Sequence, residues 1–186
     1  VVVLRRGFAV SRMQEIADEA GINKALLHYY FRNKEQLFET VFREALMRLL
    51  PMIKTVLSSE SPLEEKIEQF VLQYITVIAD NPFVPGFILH EVTSNPERLP
   101  KLLPFDKIDI PQTLVLQLQQ AVSEGRIRPM SPRQLVANII ALCVFPFVAK
   151  PLLQFALDMP TEEDFRQFIE ERKKTLVPFI LNALRP

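Results

Sequence analysis

SRMQEIADEAGINKALLHYYF, residues 11–31, reads as two short helices joined by a tight turn. Ile16, Ala20, Ile22, Leu27 and Tyr30 recur where paired helices need apolar contacts, and Ala17 is small where two helices cross closely. Gly21 falls where the chain must turn with φ > 0, a conformation glycine adopts without steric cost. The spacing predicts a helix-turn-helix whose second helix opens at Asn23 and presents a basic, aromatic surface. Such a pair reads DNA: the leading end of the second helix meets base edges and its flanks meet phosphates.

Charge agrees with that placement. The 186 residues carry no net charge, but residues 1–50 hold eight Lys and Arg against six Asp and Glu. From Gly21 to Lys34 the bases Lys24, Arg32 and Lys34 face no acid. Positive charge therefore gathers on the second helix and its exit. An apolar fraction of 48% is ample for a packed core. One cysteine, Cys143, excludes an intrachain disulfide, and nothing suggests a stapled secreted fold or a cysteine-ligated zinc, so a reducing cytoplasm fits best. The longest apolar stretch, Leu135 to Ala149, is interrupted by Asn138 and Pro146 and is shorter than the ~20 residues of a membrane span. No membrane partner is expected. The opening VVVLRRGF has no signal-peptide pattern and reads as the tail of a helix whose beginning is absent.

Helix signals continue along the chain. Ser11-Arg-Met-Gln14, Ser61-Pro-Leu-Glu64 and Ser131-Pro-Arg-Gln134 match the capping box, and Asn23 and Asn33 suit the N-caps of the second helix and the one after it. Leu37, Phe38, Val41, Phe42, Ala45, Leu46 and Leu49 form an amphipathic stripe from Lys34, with a kink or end near Pro51. A second stripe, Leu63 to Ile78, stops at Asn81-Pro82, and a shorter helix spans about 83–94. Residues 95–111 hold four prolines and read as irregular. Helices follow over 112–124, ending at Gly125, over 131–150, apolar nearly all round, and over 161–184, opening on Thr161 and three acids. No β-alternation of useful length appears. The fold class is all-α, with a head over 1–48 and a helical domain over 49–186.

The first forty residues resemble the N-terminal domain of the TetR family of transcriptional regulators. The resemblance rests on Gly7-Phe8, Ser11-Arg12, Ile16-Ala17, Ala20-Gly21-Ile22-Asn23, Leu27-His28-Tyr29-Tyr30-Phe31 and Lys34-Glu35 at the family's spacings. Arg12 stands where the family has a small hydroxyl residue, Leu26 where Thr is frequent and His28 where Tyr is frequent, so base preference should differ. The family's first helix is largely missing from this chain. The resemblance implies a three-helix DNA-binding head, a C-terminal ligand-binding and dimerisation domain, and a homodimer reading a near-palindromic double-stranded operator.

Residue chemistry assigns the head's roles. Asn23, Lys24, Ala25 and Leu26 occupy the leading end, where Lys24 suits guanine or phosphate, Leu26 a thymine methyl, and Ala25 a close approach. His28 and Tyr29 offer hydrogen bonds to the DNA backbone. Lys34 and the helix start at Asn33 suit a phosphate, and Ser11 and Arg12 suit the opposite strand. Tyr30 divides between core and phosphate contact, while Leu27 and Phe31 belong to the core.

The remaining helices exceed what DNA binding needs. With the family's habit, helices 131–150 and 161–184 point to an intersubunit four-helix bundle. Tyr74, Phe83, Phe87, His90, Glu91, Phe105 and Phe145 are the candidate lining of a pocket for an apolar or amphipathic effector, with Glu91 and His90 as polar handles on different helix faces. An enzyme is disfavoured. There are two histidines, one cysteine without a nearby base, no Gly-rich phosphate loop and no metal-spaced cluster, so neither cofactor nor metal is expected. The leading function is a ligand-responsive transcriptional repressor. The alternative is a helical protein-interaction or architectural DNA-binding module without an effector, which predicts a solid core.

Overall fold

The computed structural model describes residues 12–94, 96–98 and 110–186. Among these residues the fold is all-α: α1 (Met13–Glu19), α2 (Lys24–Tyr30), α3 (Lys34–Ser58), α4 (Leu63–Asp80), α5 (Val84–Ser94), a 3-10 turn at Pro96–Arg98, α6 (Gln112–Ser123), α7 (Pro132–Val148), α8 (Lys150–Ala156) and α9 (Glu162–Leu184). Packing divides the chain into two units, one combining Val1–Arg48 with Pro82–Lys107 and the other Leu49–Asn81 with Ile108–Pro186. The division falls at 48/49, but α5 groups with the head rather than with the helices that flank it in sequence.

Three expected starts form differently. The first helix is capped by Arg12, one residue past Ser11, and the Arg12 amide donates to Glu15 Oε2 at 3.4 Å. Ser11 lies outside the described residues. At α4 the cap position is Pro62, and at α7 the Ser131 hydroxyl makes no capping bond although Pro132 opens the helix. Thr161 does cap α9: its hydroxyl accepts from the Asp164 amide at 3.1 Å, and the Asp164 carboxylate accepts from the Thr161 amide at 2.9 Å. The Thr161 hydroxyl, which also donates to Asp164 Oδ2 at 2.6 Å, and then the Thr161 amide hold the Asp164 carboxyl below the usual range.

Two boundaries also differ. Of the kink or end expected near Pro51, the end does not occur: helix α3 continues through Pro51 to Ser58. An unforeseen helix, α8, follows α7 after Ala149 with Pro151 in its first turn, and the axes of the two are bent by 75°. No single helix among the described residues is long and apolar enough to cross a membrane.

The second unit packs α4 against α7 and α9, with α6 alongside. Phe70 and Tyr74 stack on α4 with ring centroids 5.4 Å apart. The half-buried Arg172 of α9 donates from Nε and Nη2 to the Leu142 carbonyl of α7, at 3.1 and 2.7 Å. Farther along, the Phe147 and Phe165 rings meet edge to face at 6.1 Å. These two ties run in opposite order along the helices, so α7 and α9 are antiparallel.

Cys143 is wholly buried beside Tyr74 and Arg172. Burial pushes its thiol up to about 12, against the opposing pull of the Arg172 charge. At pH 8 the thiol is therefore protonated and enclosed. A thiol reagent should leave Cys143 unmodified in native protein and label it fully in denaturant; comparable labelling rates in both would contradict this packing.

Candidate nucleic-acid interface

Helix α1 is short because its polar end meets Gly21, whose φ of +65° turns the chain. The Ile22 amide donates back to the Ala17 carbonyl at 3.0 Å, closing the turn. No atom lies within 4 Å of a side chain built at Gly21, so backbone conformation alone asks for glycine there. Asn23 then starts α2, its Oδ1 accepting from the Ala25 amide at 2.9 Å. Asn33 repeats the device for α3, accepting from the Gln36 amide at 2.8 Å. The Gln36 side chain, which the sequence reading passed over, reciprocates by accepting from the Arg32 amide at 3.0 Å.

The head is held by a small core. Ala17, Leu27 and Leu37 are buried, with Met13, Ile16, Ile22, Phe31 and Val41 packed around them. Leu27 is the one buried residue of α2. Lys24, Ala25, Leu26, His28, Tyr29 and Tyr30 are all exposed, and the large apolar surfaces stand out: Leu26 is 45%, Tyr29 80% and Tyr30 65% accessible. The tyrosine rings meet edge to face at 5.4 Å. Tyr30 thus belongs to the surface and not to the core, and Ala20 is exposed as well. A seven-residue helix that buries one side chain gains little by packing, so it persists as a display of the other six.

Arg12 and Asn23 are exposed on the same small domain, and Lys34 is half-buried at the start of α3. The arrangement offers a projecting helix with ammonium, imidazole, phenol and methyl groups, flanked by the N-terminus of a 25-residue helix. That set can donate to phosphates and reach base edges. Among the described residues, no group of His, Cys, Asp and Glu is placed to hold a metal.

The candidate effector residues separate. On α5, Phe87 and Glu91 are buried one turn apart, while His90 is exposed and Phe83, just before the helix, is also exposed. Phe87 packs on Phe38 and Phe42 of α3, with centroids 4.8 and 5.7 Å away. Tyr74 is buried in the other unit, where burial and Cys143 push its hydroxyl upward, and Phe145 lies on the surface of α7. Phe105 lies outside the described residues. A cavity of about 10 Å³ occurs elsewhere, lined by Leu57, Lys66, Ile67, Phe70, Leu114, Leu135, Val136 and Ile139. The missed signal was Lys66, a charge on the apolar face of α4.

Comparison with known proteins bears on the head first. Residues 2–41 match the family described as bacterial regulatory proteins, tetR family. HTH-type transcriptional regulator RutR of Escherichia coli (strain K12) is 27% identical over 135 residues, covering 73% of this chain and 63% of RutR. HTH-type transcriptional repressor KstR2 of Mycolicibacterium smegmatis is 28% identical over 141 residues, covering 73% of this chain and 66% of KstR2. The chain thus matches less than two thirds of the length of these relatives. The crystal structure of PfmR, a TetR family transcriptional regulator from Thermus thermophilus, has the same fold, with a TM-score of 0.70 at 20% identity over 100% of this chain and 95% of PfmR.

Asn23 sets the start of the exposed helix, so Asn23→Ala should cost about 1 kcal/mol of local stability. Hydrogen exchange at the Ala25 amide should accelerate while the amide of Ile139, in the other unit, keeps its rate. Unchanged protection at Ala25 would remove Asn23 as the cap.

Proposed function

The chain belongs to the TetR family of bacterial regulatory proteins, and we propose that it acts in the cytoplasm as a homodimeric, ligand-responsive repressor on a near-palindromic double-stranded operator. The observation that carries this reading is α2, which leaves every residue but Leu27 exposed. Its relatives are regulators, and the family is not one of enzymes.

Asn23, Lys24, Ala25 and Leu26 enter the major groove, Lys24 to guanine or phosphate and Leu26 to a thymine methyl. His28, Tyr29, Tyr30 and Lys34 line the phosphates, and Ser11 and Arg12 approach the opposite strand. Leu26 and His28 make the preferred bases particular to this chain. Repression is supported by KstR2, whose name is that of a transcriptional repressor.

Dimerisation is supported by what α7 and α9 leave uncovered. Ala137, Ala141 and Phe145 are exposed on α7, and Thr175, Pro178, Phe179 and Ala183 on α9. These small and apolar residues recur at helical spacing on two neighbouring antiparallel helices, the surface from which a four-helix bundle with a second copy is built. An effector acts on such a dimer by preferring one conformation, which shifts the population that binds the operator. Of the expected effector contacts, Phe83, Phe87, His90 and Glu91 belong to one unit and Tyr74 and Phe145 to the other, and Tyr74, buried among the C-terminal helices, remains the proposed contact for an apolar or amphipathic effector. A regulator without an effector is the second reading, favoured by the small volume of the cavity at Lys66, roughly the space of one water.

Selection from a random DNA pool should return two related half-sites. On that DNA, Lys24→Ala should weaken binding and reduce the salt slope by about 1, while Leu26→Ala should relax base preference at an unchanged slope. Wild-type affinity and slope in Lys24→Ala would exclude it from the interface. Phe179→Asp should sediment as a monomer and lose at least tenfold in operator affinity; a Phe179→Asp dimer would remove α9 from the subunit contact.

A further inference from the structure

Three residues, Phe31, Arg32 and Asn33, join α2 to α3, and hydrogen bonds hold them from both sides. The Phe31 amide donates back to the Leu27 carbonyl of α2 at 2.8 Å. The Arg32 amide donates forward to Oε1 of Gln36, in the first turn of α3, at 3.0 Å, and the Gln36 amide donates to Asn33 Oδ1 at 2.8 Å. Both of these ties to α3 run through Gln36. Without its side chain the Arg32 amide loses that acceptor, and the backbone at Phe31 and Arg32 gains freedom to turn.

The charges at this joint are uneven. Arg32 is exposed, and among the described residues its guanidinium pairs with no acid. It follows directly on α2, where Lys24 and His28 stand exposed one turn apart. The backbone of the joint has little to offer an anion: the Arg32 and Gln36 amides are already bonded, and Glu35 sets a negative charge against the positive end of α3. Lys34 is half-buried, so the exposed cation of the joint is Arg32. Its forked guanidinium suits a phosphate, but a side chain of that length reaches one phosphate only from a backbone that is held.

We propose that Arg32 is a further phosphate contact of the DNA-binding surface and that Gln36 is its positioning residue. By holding the Arg32 amide, the Gln36 side chain fixes the direction in which Arg32 leaves the joint, and it does so without touching DNA. The proposal rests on the regulator reading and adds to it a contact that lies outside α2. It separates two roles on neighbouring turns of chain: Arg32 supplies charge, and Gln36 supplies only an acceptor.

Fluorescence anisotropy on DNA selected by the full chain, repeated over a range of salt concentrations, tests both roles. A lost phosphate contact removes about 0.9 from the salt slope, or about eightfold in affinity for each tenfold in salt. Arg32→Ala should lower the slope by that amount, and Arg32→Lys, which keeps the charge, should retain it. Gln36→Ala removes the acceptor and leaves a strong helix former at an exposed position. It should speed hydrogen exchange at the Arg32 amide and lower the slope towards that of Arg32→Ala. Added to Arg32→Ala, it should change neither affinity nor slope further. A merely structural loosening of α2 would instead weaken binding equally at all salt concentrations. The wild-type slope in Arg32→Ala or in Gln36→Ala overturns the proposal and leaves the regulator reading standing, as does a further loss in the double variant. A wild-type chain that selects no DNA overturns the regulator reading, and the proposal with it.

Discussion

The proposed DNA-reading surface depends on one buried side chain. Leu27 is the only residue of α2 inside the head's core, where Ala17 is fully enclosed and Leu37 closes the far side. Burying a leucine contributes about 1.5–3 kcal/mol, and no other packing contact of α2 is comparable. The rest of the helix is held through its ends, by the Asn23 cap and by the Phe31 amide donating to the Leu27 carbonyl at 2.8 Å. Ala17 is small for the same reason. A larger residue would lift α2 from α1 or strain the core, at a typical cost of about 1–3 kcal/mol. One anchor and two caps leave the six exposed residues free to be chosen for what they touch.

The sequence disclosed this head well because its signals are local. Asn23 and Asn33 cap the neighbouring helices, and Gly21 has the positive φ its place in the turn requires. Local signals failed where proline intervened. Pro62 takes the cap position of α4 with ψ of 149°, which leaves Ser61 one residue too far from the helix. Pro151 begins α8 so soon after α7 that the two read as one helix and a loop. Tyr30 stayed divided between core and phosphate contact until its exposure was seen, because an aromatic at helical spacing looks the same whether it packs or is displayed. Only the neighbours decide, and the sequence does not name them.

Long-range packing was less legible still. Phe87 looked like pocket lining, but it fills the space beside Phe38 and Phe42 and draws α5 into the unit of the head. Glu91, expected as a polar handle of a pocket, is buried one turn later in the same unit. Lys66 was passed over because an amphipathic stripe with one lysine still scores as an amphipathic stripe. Its meaning came from the carbonyl it reaches and from the apolar residues around it.

The same logic explains why α7 and α9 have surfaces to spare. Arg172 gives two bonds to a single carbonyl, and Phe165 sits edge to face on Phe147, so both helices are rotationally fixed within the subunit. The α7 face carrying Leu135, Ile139 and Cys143 is consumed inside, and the face carrying Ala137, Ala141 and Phe145 is turned out. A helix apolar nearly all round cannot be satisfied by one inward face. The inward ties therefore determine which apolar residues remain outside, and in the proposed dimer the small alanines among them permit close approach of a second copy's helices.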